Sequence, residues 1–94
     1  MVRQRYGGSR ARRNAVWPAQ RLRRRRKLTQ RDVAVAAGIS ESALYYIEHG
    51  YRWPPAATIL RLAAAMRLPV ASLTTAILQG WMIRHRHEQP EARP

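Results

Sequence analysis

Residues 29–50 read TQRDVAVAAGISESALYYIEHG, and the fold turns on how this stretch is parsed. Thr29 followed three residues later by Asp32 has the form of a capping box, in which hydroxyl and carboxylate each take an orphan N–H at a helix start. The helix so opened is expected over residues 30–37, with Val33, Ala34 and Ala37 on one face. Gly38 is the residue that most readily adopts left-handed backbone at a helix C-terminus. Ile39 then plugs inward, and Ser40 is a strong N-cap for a second helix over residues 41–49. Ala43, Leu44 and Ile47 form the buried stripe of that helix, and Gly50 ends it.

The same stretch is an exception in charge. The 94-residue chain carries a formal net charge of +13, yet residues 29–50 hold one base, Arg31, against Asp32, Glu41 and Glu48. Eleven of the 18 Lys and Arg residues lie in residues 1–28, where there is no acid. Seventeen of those 18 are arginine, the side chain suited to bidentate contact with phosphate. Residues 1–16 read as a flexible basic arm, because Gly7, Gly8 and Ser9 break a helix and the arginines repel one another. Pro18 suits a first helical turn. The run PAQRLRRRRK that it opens has Ala19 and Leu22 as apolar anchors and a cationic opposite face.

Beyond Gly50, YRWPP (51–55) is a loop, since two consecutive prolines do not continue a helix. Ile59, Leu62, Ala63 and Met66 then recur at helical spacing until RLP stops them. Val70, Leu73 and Ile77 give a fifth helix ending near Gly80. Residues 84–94 are polar, contain Pro90 and Pro94, and read as a disordered tail. No strand-like alternation and no repeat occurs. The expected fold is therefore all-α, a compact bundle of about five short helices over residues 17–83.

Composition narrows the chemistry. The chain is 46% hydrophobic but has no phenylalanine, so the core is built from short side chains and association with a second copy would help it. The absence of cysteine excludes disulfides and thiolate metal sites. No apolar run approaches the roughly 20 residues that span a bilayer, and no secretory signal follows the basic start. A cytoplasmic, nucleoid-associated protein is expected. A glycine-rich phosphate loop and a nucleophile beside a base are both missing, so neither an enzyme nor a cofactor is expected. His85-x-His87-Glu88 has no common metal-ligand spacing, and no metal is expected there.

Two short capped helices at a tight glycine turn are the signature of a helix-turn-helix. With its flanks, residues 19–73, the stretch resembles the lambda-repressor-like family (Cro-type or xenobiotic-response-element type). The resemblance rests on Thr29-Gln30, Val33-Ala34, Gly38-Ile39-Ser40, Ile47-Glu48, Gly50, Pro54, Ile59, Ala63 and Met66 in joint spacing. It implies that helix 41–49 enters the DNA major groove. Base-edge contacts then fall to Glu41, Ser42, Tyr45 and Tyr46. Glu can accept from cytosine N4, Ser can bond either way, and an aromatic ring can pack on a thymine methyl. Two alternatives stay open at this point: Glu41 could serve only the helix dipole, and one tyrosine could belong to the core.

The resemblance assigns phosphate contacts to Gln30, Ser40, His49 and Arg52, which fix register without reading sequence. Arg10, Arg12 and Arg13 of the arm add sequence-independent attraction. Glu48 falls on the inward edge of its helix, and the family pattern pairs it with Arg23 as a structural ion pair. Trp81, Met82 and Ile83 either complete the core or build a dimer interface. The implied function is a sequence-specific double-stranded-DNA-binding transcriptional regulator, expected to be a repressor and a homodimer. Two rival readings are an antitoxin-like or adaptor subunit that holds a protein partner through its C-terminal segment, and a non-specific RNA- or nucleoid-binding basic protein.

Overall fold

Each helix boundary follows from a local rule at its ends. A computed structural model describes residues 17–86. Its five helices are α1 (Pro18–Arg25), α2 (Gln30–Ala37), α3 (Glu41–Glu48), α4 (Ala56–Met66) and α5 (Val70–His85). The basic arm and residues 87–94 lie outside the described residues. No strand occurs among those described.

Thr29 and Asp32 form the reciprocal capping box at α2. The Asp32 N–H donates to Thr29 Oγ1 at 3.0 Å, and the Thr29 N–H donates to Asp32 Oδ2 at 3.0 Å. These bonds hold the Asp32 carboxyl below the usual carboxylate range, the backbone N–H of Thr29 first and its hydroxyl second, with Arg31 adding a weaker pull. The cap therefore stabilises the fold fully above the ordinary carboxylate range, near 3.8, and that contribution disappears as pH falls through the depressed value. Asp32→Asn is expected to remove this component: an acid titration of thermal stability should lose its inflection below that range in the variant. A variant whose acid profile matches wild type would refute the assignment.

Gly38 closes α2 with φ +72°, and the Ile39 N–H reaches back to Ala34 O at 3.0 Å. Ser40 Oγ then accepts the Ala43 N–H at 2.9 Å and opens α3. Arg61 of α4 donates from Nε to Ala37 O at 2.9 Å, so the C-terminus of α2 is also satisfied from across the core. Arg26, at the end of α1, donates likewise to Arg67 O at 3.1 Å.

The core lies where α2 faces α4 and α1 faces α5, with α3 laid mainly against α2. Val33, Leu44, Leu62, Met66 and Leu73 are fully buried in it, together with Pro54 of the 49–55 loop. Burying one leucine or methionine contributes roughly 1.5–3 kcal/mol, so these few large side chains carry much of the stability of an alanine-rich bundle. Ala43 is only half-buried, and Leu44, Ile47 and Glu48 make the inward face of α3.

One boundary differs from the sequence expectation. Helix α5 does not end near Gly80 but runs to His85, so Arg84 and His85 belong to the folded domain and not to a tail. Gly80 is buried inside the helix because α5 passes close to the turn after α3: a Cβ on Gly50 would lie 2.5 Å from Gly80 O. No single helix among the described residues is long and apolar enough to cross a membrane.

Candidate nucleic-acid interface

With Leu44, Ile47 and Glu48 committed to the interior, the other side of α3 is left to solvent. Glu41 and Ser42 are exposed in its first turn, and the side chain of neither has a hydrogen-bond partner among the described residues. The capping at this end is done by Ser40, whose hydroxyl is engaged with Ala43. Glu41 therefore makes no capping hydrogen bond, and its carboxylate sits exposed in the first turn, where it also complements the helix dipole. Tyr45 and Tyr46 are 43% and 42% exposed, so neither belongs to the core.

These tyrosines do not stand alone. Tyr45 stacks on His49 with ring centroids 4.0 Å apart, and His49 Nδ1–H donates to Tyr45 O at 3.0 Å. Tyr46 meets Tyr51 edge-on at 5.9 Å, and the Arg52 guanidinium lies 5.5 Å from the Tyr46 ring centre. Such pairs favour one ring orientation over others, at roughly 0.5–1.5 kcal/mol each.

Beside α3, an open groove of about 630 Å³ separates α1 from the start of α2 and the C-terminal half of α3. Arg24, Lys27, Thr29, Gln30, Tyr45 and His49 are among its lining residues. Arg24 and Lys27 are exposed, while Gln30 is half-buried with its amide 3.5 Å from Glu48 Oε1. The groove thus has a cationic wall from α1 and the turn after it, and a polar-aromatic wall from α2 and α3. Two cations held beside the N-terminus of α2 suit a phosphate group.

Arg23, one residue from this wall, points inward. Its Nε donates to Glu48 Oε2 at 2.6 Å, its Nη2 to Glu48 Oε1 at 3.1 Å, and its Nη1 to Leu28 O at 2.9 Å. Arg23 and Glu48 are 5% and 2% exposed, which makes this the buried ion pair read from the sequence. It locks α1 to α3 and so keeps the two walls of the groove together.

The sequence comparisons agree with this geometry. A family model described as Helix-turn-helix matches residues 20–73, more than half of the chain. The chain belongs to the lambda-repressor-like helix-turn-helix family. It is also similar to the uncharacterized HTH-type transcriptional regulator RghRB of Bacillus subtilis (strain 168), with 46% identity over 56 residues. That match covers 58% of this chain, and the chain spans only 40% of the relative's length. No solved structure matches the chain.

Within this helix-turn-helix frame the remaining expected residues can be placed. Arg52 is exposed just past α3, on the side of Tyr46. Arg10, Arg12 and Arg13 lie outside the described residues. Trp81 is half-buried and meets Trp53 edge-on at 6.0 Å, so it serves packing inside the chain. Met82 is 46% exposed and Ile83 half-buried. His85 Nε2–H donates to Gly50 O at 2.9 Å, and its ring lies 3.9 Å from that of Trp81. His87 and Glu88 are outside the described residues.

Three participants were not singled out from the sequence. Arg24 follows Gln20 at i+4 on one face of α1, a spacing that could have marked the groove wall, whereas Lys27 lies in the turn after α1 with a left-handed φ of +60°, where helical spacing does not place it. Arg84 follows Leu73, Ile77 and Gly80 at the same spacing, so the stripe that defines α5 already pointed to it. Its Nε donates to His49 O at 3.0 Å, and its guanidinium lies 3.9 Å from the Tyr51 ring centre and 4.9 Å from that of Trp17.

Proposed function

We propose that this chain binds double-stranded DNA sequence-specifically as a transcriptional regulator, with α3 entering the major groove. The observation that carries the proposal is the adjacency of two unlike surfaces. The outer face of α3 presents Glu41, Ser42, Tyr45 and Tyr46, a set able to read base edges. The groove next to it offers Arg24, Lys27 and Gln30 to a phosphate. Ser40, His49 and Arg52 flank the helix as further backbone contacts. In this reading attraction comes from the basic segment before α2, and discrimination from the nearly neutral α3.

The regulator acts as a homodimer and a repressor. Leu78 and Met82 are exposed at i, i+4 on α5, with Ile83 beside them, and form an apolar surface that a second copy would cover. Two copies related by a two-fold axis present their α3 helices about one DNA turn, roughly 34 Å, apart.

Selection of binding sites from random duplex DNA, run at two salt concentrations, tests the proposal. An enriched motif with two-fold symmetry is expected, and the absence of any enriched motif would overturn specific DNA reading. Deleting residues 1–15 is expected to weaken binding to all duplexes alike and to flatten the salt dependence, by about 0.9 in slope for each phosphate that is no longer neutralised. A selective loss for one sequence would instead mean that the arm reads bases.

A further inference from the structure

We infer that Arg84, on the last turn of α5, is a positioning residue that fixes the side-chain rotamers of Tyr45 and Tyr46 on α3. Its consequence for base discrimination rests on the proposed DNA-reading role of α3.

The ring contacts around the C-terminal end of α3 close into a belt. Tyr45 meets Tyr46 edge-on at 5.7 Å, and Tyr46 meets Tyr51 at 5.9 Å. The Arg84 guanidinium covers Tyr51 at 3.9 Å and reaches Trp17 at 4.9 Å. Trp17 meets His49 at 5.0 Å, and His49 stacks on Tyr45 at 4.0 Å, which returns the belt to its start. Five of its six members are aromatic or imidazole rings on or near α3 and α1. Arg84 is the sixth, and the one contribution from α5.

Arg84 is also anchored to α3 by directional bonding from another helix, beside the local His49–Tyr45 O bond within α3. Its Nε–H satisfies His49 O, the carbonyl at the C-cap of α3, where a positive charge is favoured. A planar guanidinium can make that hydrogen bond while lying against two rings, and an ammonium group cannot. Both half-exposed tyrosines of α3 are therefore backed, one through Tyr51 and the other through His49 and Trp17, by the same side chain. A surface tyrosine without such backing samples several χ1 wells. Fixing the well in advance removes an ordering cost from binding and sharpens contact geometry.

The test uses the full chain and reads χ1 directly. Three-bond couplings of Tyr45 and Tyr46 are measured by NMR in wild type, in Arg84→Met and in Tyr51→Leu. Methionine keeps an unbranched stem against α3 and removes the guanidinium. Wild type is expected to show one rotamer for each tyrosine, and Arg84→Met is expected to average both. Tyr51→Leu replaces an exposed ring, so folding is retained, and is expected to average Tyr46 more than Tyr45. Couplings in Arg84→Met unchanged from wild type would overturn the inference, whatever Tyr51→Leu shows. In duplex selection, Arg84→Met should lose about tenfold in preference for the selected site, equivalent to roughly 1.4 kcal/mol, with its salt slope unchanged. Averaged couplings with undiminished preference would overturn the consequence for specificity. A wild-type chain that prefers no duplex sequence would overturn the DNA-reading proposal, while the couplings still decide the role of Arg84.

Discussion

Gly50→Ala is expected to lower the stability of the domain by at least about 3 kcal/mol, and its melting temperature by roughly 12 °C or more. Two separate costs meet at this residue. Its φ of +75° is left-handed, which costs an L-residue about 1–2 kcal/mol. A Cβ added there would also lie 2.5 Å from Gly80 O and 2.9 Å from Arg84 Cβ. The first of these neighbours is helix backbone, so relief requires α5 to move away from the turn. That movement would pull on the Arg84–His49 O and His85–Gly50 O hydrogen bonds. Gly38 is the matched control. Its φ of +72° is nearly the same, but a Cβ there would meet nothing within 4 Å. Gly38→Ala is accordingly expected to cost only the backbone term, about 1–2 kcal/mol. Thermal or urea unfolding of the two variants separates the contributions. Equal losses would mean that the close approach of α5 to Gly50 is wrong.

This contrast also marks how far the sequence could be read. Thr29, Asp32, Gly38 and Ser40 act on backbone groups within five residues of themselves, so spacing alone places α2 and α3 to within a residue. Gly80 obeys the opposite logic. Read locally, a glycine after Ile77 is a helix stop, because glycine is unfavourable inside a helix by about 1 kcal/mol. In the fold it is a helical residue whose carbonyl faces a second glycine, Gly50, far earlier in the chain. No local rule links positions 50 and 80, so a reading from spacing ends α5 too early.

The candidate site divides in the same way. Which residues face outward on α3 follows from its inward stripe of Leu44 and Ile47, which leaves Glu41, Ser42, Tyr45 and Tyr46 on the other side. Ser40 makes the capping hydrogen bond, and Glu41 stands beside it in the first turn, where its charge also suits the helix dipole. What holds Tyr45 and Tyr46 in place was not legible. It depends on Trp17, which precedes α1, and on Arg84 at the far end of α5, so the belt draws on both ends of the domain. Packing around the site is non-local, whereas the site's membership is largely local.

Arg23→Ala is expected to cost about 3–5 kcal/mol, while Arg24→Ala, one residue on, should stay within about 0.5 kcal/mol. The two arginines have the same chemistry and differ in what surrounds them. Arg24 is exposed at the groove, whereas Arg23 is 5% exposed and donates three hydrogen bonds, two to Glu48 and one to Leu28 O. Truncating Arg23 strands the Glu48 carboxylate at 2% exposure, with only a 3.5 Å contact to the Gln30 amide left to it. An uncompensated buried charge accounts for most of the loss. Arg23→Lys should recover little of it, because one ammonium group does not reproduce the fork that spans both carboxylate oxygens and a carbonyl. Replacing both partners by apolar residues of similar size, Arg23→Met with Glu48→Leu, removes the stranded charge and should recover most of the stability. Denaturant unfolding of the single and double variants reads these differences as a double-mutant cycle. Equal stability of Arg23→Ala and Arg24→Ala would exclude the buried pair. Duplex binding by the double variant then isolates its second effect. With α1 no longer tied to α3 by directional bonds, the cationic wall and the reading face lose their fixed spacing. Affinity should fall even where stability has returned.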